Sequence, residues 1–248
     1  MNETIQALNA RKSVRVFEPR EITEDAQKAI LNAAFEAPTA GNQMLYTILN
    51  ITDPALKTTL ADLCDHQPFI ATAPFVLIFL ADQRRWLDTY RAAGITPRPV
   101  GYGDMLLAMA DAVIAAQNAV VAAESLGIGS CYIGDVLEHC EDMRALLQLP
   151  AEVFPAAMLV FGYPTEQQKA RKKPARFDAR GIVFENGYQL MPPEAHEALW
   201  RDREAKAGRE NVDFVGQVGA FWRRKYQSEF SAEMNRSARV YFGGYDKA

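Results

Sequence analysis

The residues able to do chemistry cluster in three short stretches. Near the start the chain reads Arg11-Lys12-Ser13-Val14-Arg15-Val16-Phe17. Extended-chain alternation sets Arg11, Ser13 and Arg15 on one side and Val14 and Val16 on the other, so two guanidiniums and a hydroxyl could converge on one anion such as a phosphate. Taken alone, the same residues would also read as a solvated cationic turn. The second stretch, Ala37-Pro38-Thr39-Ala40-Gly41-Asn42-Gln43, is a loop punctuated by Pro and Gly that carries a pair of amides. An amide both donates and accepts, so it can read the edge of a planar heterocycle, although a turn with an Asx cap explains Gly41-Asn42 equally well. The third, GIGSCYIGD over 127–135, is a glycine-rich strand edge where the missing Cβ atoms would let main-chain N–H groups come close to a ring; a plain helix-to-strand turn is the simpler reading.

These stretches need elements to position them. Thr23 is an N-cap, Glu24 and Asp25 follow at the positive end of the helix dipole, and Ile30, Leu31, Ala34 and Phe35 fall at helical spacing before Pro38. The runs 46–51 and 75–80 read as strands, the second apolar enough to be buried on both faces. Residues 103–126 form a long helix of small and apolar residues closed by Gly127, and it should be central. Strand-like runs at 130–133 and 156–161 flank a helical stretch at 140–147, so the layout is mixed α+β. KARKKPARFDAR, residues 169–180, reads as an exposed basic loop around Pro174. From Pro192 onward, two polar helices with aromatic stripes (196–206 and 218–239) make a tail that packs on the core or on a partner.

Composition narrows the classes. The chain has 248 residues, 49% of them hydrophobic, enough for a good core in one large domain. With 27 Lys+Arg against 31 Asp+Glu and a net charge of −4, no global field gathers nucleic acid or anionic lipid, and any anion site must be local. Cys64, Cys131 and Cys140 are an odd count without a C-x-x-C pair, which argues against disulfides and zinc. No metal site is expected. The N-terminus lacks the pattern of a secretory signal, and the apolar runs are short or interrupted by Asp111, Gln117 and Asn118, so a cytoplasmic chain without membrane association is expected. Gly127-Ile128-Gly129 follows a helix and lacks the third glycine of a dinucleotide fingerprint, and neither a P-loop nor a G-x-S-x-G elbow occurs.

Together and in this order, RKSVRVF, APTAGNQ, HQPFIATAPF, AAESLGIGSCYIGDV, VFGYP, KKPARF and FEN resemble the nitroreductase superfamily, closest to its larger NADPH-preferring branch of FMN-dependent nitro/flavin reductases. The resemblance covers about residues 5–190. It implies a nitroreductase-like three-layer α-β-α fold, a central, mostly antiparallel sheet flanked by helices, in an intertwined homodimer. The core would be 1–190, with 191–248 a C-terminal helical extension. Carried over by position, Arg11, Ser13 and Arg15 resemble the contacts to the FMN phosphate and ribityl chain, with Lys12 contributing through its backbone. Lys173 and Arg176 resemble a second basic arm on the same phosphate, here with one extra residue, Ala175 or Lys173 itself. Thr39 and Asn42 resemble the loop under the isoalloxazine, and Gln67 the amide that binds the ribityl chain or pyrimidine edge. Tyr132, Ile133 and Gly134 resemble the segment that lies against the flavin and offers a main-chain N–H to N5.

Two positions depart from the pattern. Pro68, Phe69 and Ile70 follow Gln67 where some members have a Lys, which leaves Arg15 as the candidate cation near the reduced flavin. Asp135 stands where the closest branch has a small or neutral residue. The implied activity is hydride transfer from NADPH or NADH to flavin N5 and on to a nitroaromatic, quinone or flavin acceptor by a ping-pong route, with no side chain strictly catalytic. A noncatalytic flavin-binding or redox-sensing protein is the alternative. An RNA-binding module using 169–180 is disfavoured by the negative charge.

Overall fold

The computed structural model describes residues 2–245. Within them the chain forms two compact units, one of residues 2–171 and 232–245 and the other of residues 172–231. The 190/191 boundary expected above marks where the sequence resemblance stops; the units part at 171/172 and 231/232.

The larger unit is built on four strands, β1 (Tyr46–Asn50), β2 (Phe75–Asp82), β3 (Gly129–Ile133) and β4 (Val153–Gly162), in the order β1-β2-β4-β3. Every neighbouring pair is antiparallel. β2 and β4 are buried along their whole length, as an uninterrupted apolar run requires of a central strand. Alternation sends Phe75, Leu77, Phe79 and Ala81 to one face, against α2 (Glu24–Phe35) and α6 (Tyr102–Ser125). It sends Val76, Ile78 and Leu80 to the other, with Leu60 of α3 (Pro54–Leu63), Ile70 of α4 (Pro68–Ala71) and Met143 of α7 (Cys140–Leu147). The α-β-α layering follows from that alternation. Each fully buried aliphatic side chain contributes about 1.5–3 kcal/mol.

Helix ends follow local chemistry. Thr23 accepts the Ala26 N–H at 3.3 Å to start α2, and Gly127, at φ +71°, ends α6 in the left-handed region. Ala108, Ala112, Ala115, Ala119 and Ala123 give α6 a buried small-residue face, while Leu106, Leu107, Val113 and Ile114 on its other side are exposed, Leu106 to 58%. By length and composition α6 could cross a membrane; its buried face is part of the core of this unit. Helices α1 (Glu3–Ala10) and α5 (Arg84–Ala92) complete the elements before β3.

The tail differs from the expected pair of helices. The region beyond Pro192 holds α9 (Pro193–Lys206), α10 (Phe214–Lys225) and α11 (Glu229–Phe242), α8 being the short helix Glu166–Ala170. The helix expected over 218–239 is broken at 226–228, where the aromatic spacing runs on through Tyr226 and conceals the stop. The basic stretch 169–180 starts inside α8 and runs into a 3-10 turn at Ala179–Gly181. In the smaller unit, Trp200 packs between Phe177 and Phe221, with ring centroids 6.3 and 5.9 Å away.

Candidate functional site

The 11–17 segment lies against the β3–β4 pair. The Val14 N–H donates to Ser130 O at 2.9 Å, and Ser13 and Phe17 form isolated bridges to Ser130 and Pro164. Gly129 and Gly162 are register partners. A Cβ on Gly129 would come within 2.6 Å of Val14 Cγ2, and one on Gly162 within 2.5 Å of Phe17 Cδ1. The two glycines therefore admit the segment, a role that the sequence alone does not separate from closeness to a ring. The expected alternation does not persist. Val14 is buried but Val16 is 47% exposed, because two isolated bridges do not hold a regular strand.

Arg11, Ser13 and Arg15 nevertheless act on one atom, the thiol of buried Cys131 in β3. Burial pushes that thiol up, and the Arg15 charge, the Ser13 hydroxyl and the Arg11 charge pull it back. Arg11 Nη1 is buried without a hydrogen-bond partner. Among the described residues no carboxylate pairs with Arg11 or Arg15, although Arg15 stands 5.8 Å from the Phe69 ring centroid. An orphaned buried donor costs about 1–3 kcal/mol, so a bare guanidinium here fits an external anion. Lys12 is committed elsewhere: its Nζ donates to Lys169 O at 2.6 Å and Arg171 O at 2.5 Å.

The 39–45 loop is held from α6. Asp111, buried in that apolar helix, accepts from the Thr39 hydroxyl and from the Ala40 and Leu45 N–H groups, both at 3.1 Å. Thr39 also accepts the Met44 N–H at 2.7 Å, so its hydroxyl serves the loop's own structure. Asn42, at φ 55°, keeps its amide on the exposed side. Arg85 and Trp86 of α5 complete the hold by donating to the carbonyls of Met44 and Gln43.

Along β3, the Tyr132 hydroxyl donates to Gln117 Oε1 at 3.3 Å, and burial pushes its phenol up to about 12. The Ile133 side chain is buried in the second core cluster, which leaves only its main chain for a ligand. Gly134 is exposed, and a Cβ there would meet nothing within 4 Å, so open space remains at this point. Gln67 Nε2 donates to Cys64 O at 2.8 Å and to Asp135 Oδ2 at 3.0 Å. Glu138 is 2% exposed, and its Oε1 has no partner. Burial first, then the charges of Asp135, Asp65 and Glu233, push its carboxyl up to about 7.

Lys173 and Arg176 belong to the smaller unit, where they line a cavity of about 1030 Å³ with Arg203, Arg209 and Arg224. There Arg203 stacks on Trp200 at 3.9 Å, and buried Glu204 pairs with both Arg203 and Arg209. Sequence reasoning assigned no role to Asp111, Cys131, Glu138 or Glu204. Asp111 carried a signal, as a lone acid inside an apolar helix; the other three did not.

The nitroreductase family model matches residues 8–163, most of the larger unit, including the 11–15 segment, the 39–42 loop, Gln67 and the end of β3. The chain belongs to the nitroreductase family. Among its relatives in this family are the oxygen-insensitive NADPH nitroreductase of Salmonella typhimurium, 34% identical over 77% of each chain, and the FMN reductase [NAD(P)H] of Bacillus subtilis, 32% identical over 70% of each. Among solved structures, B. megaterium NfrA2 superposes with a TM-score of 0.78 at 27% identity, covering 96% of this chain and 98% of that one. The likeness to that structure takes in residues of both units. The cationic, hydroxylated cradle at 11–15 fits a phosphate, and the open main chain at Gly134 fits a ring.

Proposed function

We propose that the chain is an FMN-dependent oxidoreductase that draws hydride from NADPH or NADH and passes it by a ping-pong route to a small-molecule electron acceptor: a nitroaromatic, a quinone or a flavin. The observation that carries this reading is the buried, partnerless Arg11 Nη1 grouped with Ser13 and Arg15 around Cys131. Those three residues would hold the phosphate and ribityl tail. Lys12 ties the segment to the main chain at 169–171, and Gln67 and the 132–134 main chain would orient the ring. Lys173 and Arg176, which line the cationic cavity of the smaller unit, belong to the proposal as phosphate-binding residues. Bound FMN would supply the two-electron chemistry, so the protein needs no acid or nucleophile of its own.

The names of the relatives, an NADPH nitroreductase and FMN reductases, support donor and cofactor alike. The cationic cavity of the smaller unit favours a phosphorylated dinucleotide, with Arg209 and Arg224 as candidates for its 2′-phosphate. The exposed apolar side of α6 supports a homodimer with the flavin at the junction. A noncatalytic flavin-binding or redox-sensing protein would need Asp135 or the tail to cover the ring face. The Asp135 carboxylate instead accepts from Gln67, which speaks against that use of it. A cytoplasmic location belongs to the same proposal. The test is a visible spectrum of the purified protein: flavin bands should bleach with NADPH and return with a quinone or nitroaromatic. Colourless protein that takes up no added FMN would overturn the reading.

A further inference from the structure

We infer that Asp135 is a positioning residue that turns the Gln67 amide so that it presents a lone acceptor oxygen, making the site demand a hydrogen-bond donor from its ligand at that point. The inference rests on the flavin reading above and adds a rule for what the flavin must offer.

Gln67 leads into α4, and its main-chain N–H donates to Ala61 O at 2.9 Å. The two residues before it, Asp65 and His66, both hold left-handed φ values, 58° and 50°. L residues adopt that conformation reluctantly, and two in succession need a tie from outside the turn. Nε2 supplies it by donating to Cys64 O at 2.8 Å within the turn and to Asp135 Oδ2 at 3.0 Å across to the end of β3.

The direction of the amide follows from its partners. Turned over, Oε1 would face a carbonyl and a carboxylate, two acceptors with nothing to give, so only one orientation satisfies the group. Both hydrogens of Nε2 are then engaged, and Oε1 makes no hydrogen bond among the described residues. Gln67 is half-buried, and Gly134, one residue before Asp135, borders open space. A small neutral residue at 135 would leave the Cys64 carbonyl alone to hold the amide, with the second Nε2 hydrogen uncommitted. The carboxylate commits it. In FMN the eligible donors are the ring N3–H and the ribityl hydroxyls.

Apo-protein is titrated by flavin fluorescence with FMN, then with 3-methyl-FMN, which lacks the ring donor, and with FMN analogues each lacking one ribityl hydroxyl. Wild type should bind FMN about tenfold more tightly than one of these analogues, the weight of one hydrogen bond. In Asp135→Ala and Gln67→Met that preference should shrink to about twofold or less. Asp135→Asn, which keeps an oxygen for Nε2, should retain it, an outcome that a merely structural role does not require. Melting curves of each apo variant monitor folding, and Asp135→Gly serves if Asp135→Ala does not fold. A wild type indifferent to every analogue, or an unfilled acceptor at 135 with the preference intact, overturns the inference. Failure of wild type to bind FMN at all is read first and overturns the flavin reading itself.

Discussion

Arg11 and Arg15 carry two positive charges that no carboxylate among the described residues neutralises, beside a hydroxyl and a buried thiol. A charge-assisted hydrogen bond is worth about 1.5–3 kcal/mol, so Arg15→Ala and Arg11→Ala should each weaken FMN binding roughly 10- to 100-fold, measured by titration of apo-protein. Thr39→Ser should change binding little, since that hydroxyl already serves Asp111 and Met44. Glu138 behaves in the opposite sense. Its carboxyl ordinarily titrates at 4.5 but is raised to about 7 in the fold by burial and by Asp135, Asp65 and Glu233. The unfolded chain therefore gives up this proton first, so stability falls as pH rises from 4.5 and the loss is complete above about 7. Glu138→Gln should stabilise the protein at pH ~8 by up to about 3 kcal/mol and leave it nearly unchanged below pH ~4.5, read from denaturant melts across that range.

Between elements, some contacts set stability alone and others also set the shape of the site. Ser237 of α11 is fully buried and accepts the Cys140 N–H that opens α7 at 3.0 Å, while Glu233 accepts the His139 N–H at 3.1 Å. Arg236 joins Glu233 to Glu141 and holds both carboxyls down to about 2. Ser237→Ala orphans a buried N–H and should lower stability by about 1–3 kcal/mol, visible as a drop in Tm with flavin affinity preserved. Gly129→Ala should do more. Its Cβ would meet Val14 at 2.6 Å, so the 11–15 segment must lift away from β3; destabilisation of about 1–3 kcal/mol should come with weaker FMN binding. Fluorescence titration of a variant shown to be folded would separate the two effects.

At the scale of the whole molecule, the exposed Leu106, Leu107, Val113 and Ile114 form an apolar side on a helix whose opposite side is core. A second copy of the chain is the proposed cover. Leu106→Glu should shift the protein toward monomer in analytical ultracentrifugation and release flavin in parallel, whereas a dimer that persists with flavin bound would remove α6 from the interface. Much of the fold could be read in the sequence because it is written in local terms. The Thr23 cap, the Gly127 stop, the apolar run of β2 and the alanine face of α6 each follow from neighbours within a turn or two. The three-part tail could not be read, because no cap or breaker stronger than its aromatic spacing marks 226–228.

The amino-acid order by itself determined the strands, the long helix, the family pattern and the concentration of cations at 11–15, since each rests on residue type and short spacing. Tertiary structure alone decided that Val16 faces solvent, that Thr39 and Asp111 serve the loop, that Gly129 and Gly162 admit a crossing segment, and that Asp135 directs Gln67. Those facts join residues up to 145 positions apart, such as Phe17 and Gly162, and the energy of such a contact exists only once the chain has folded back on itself.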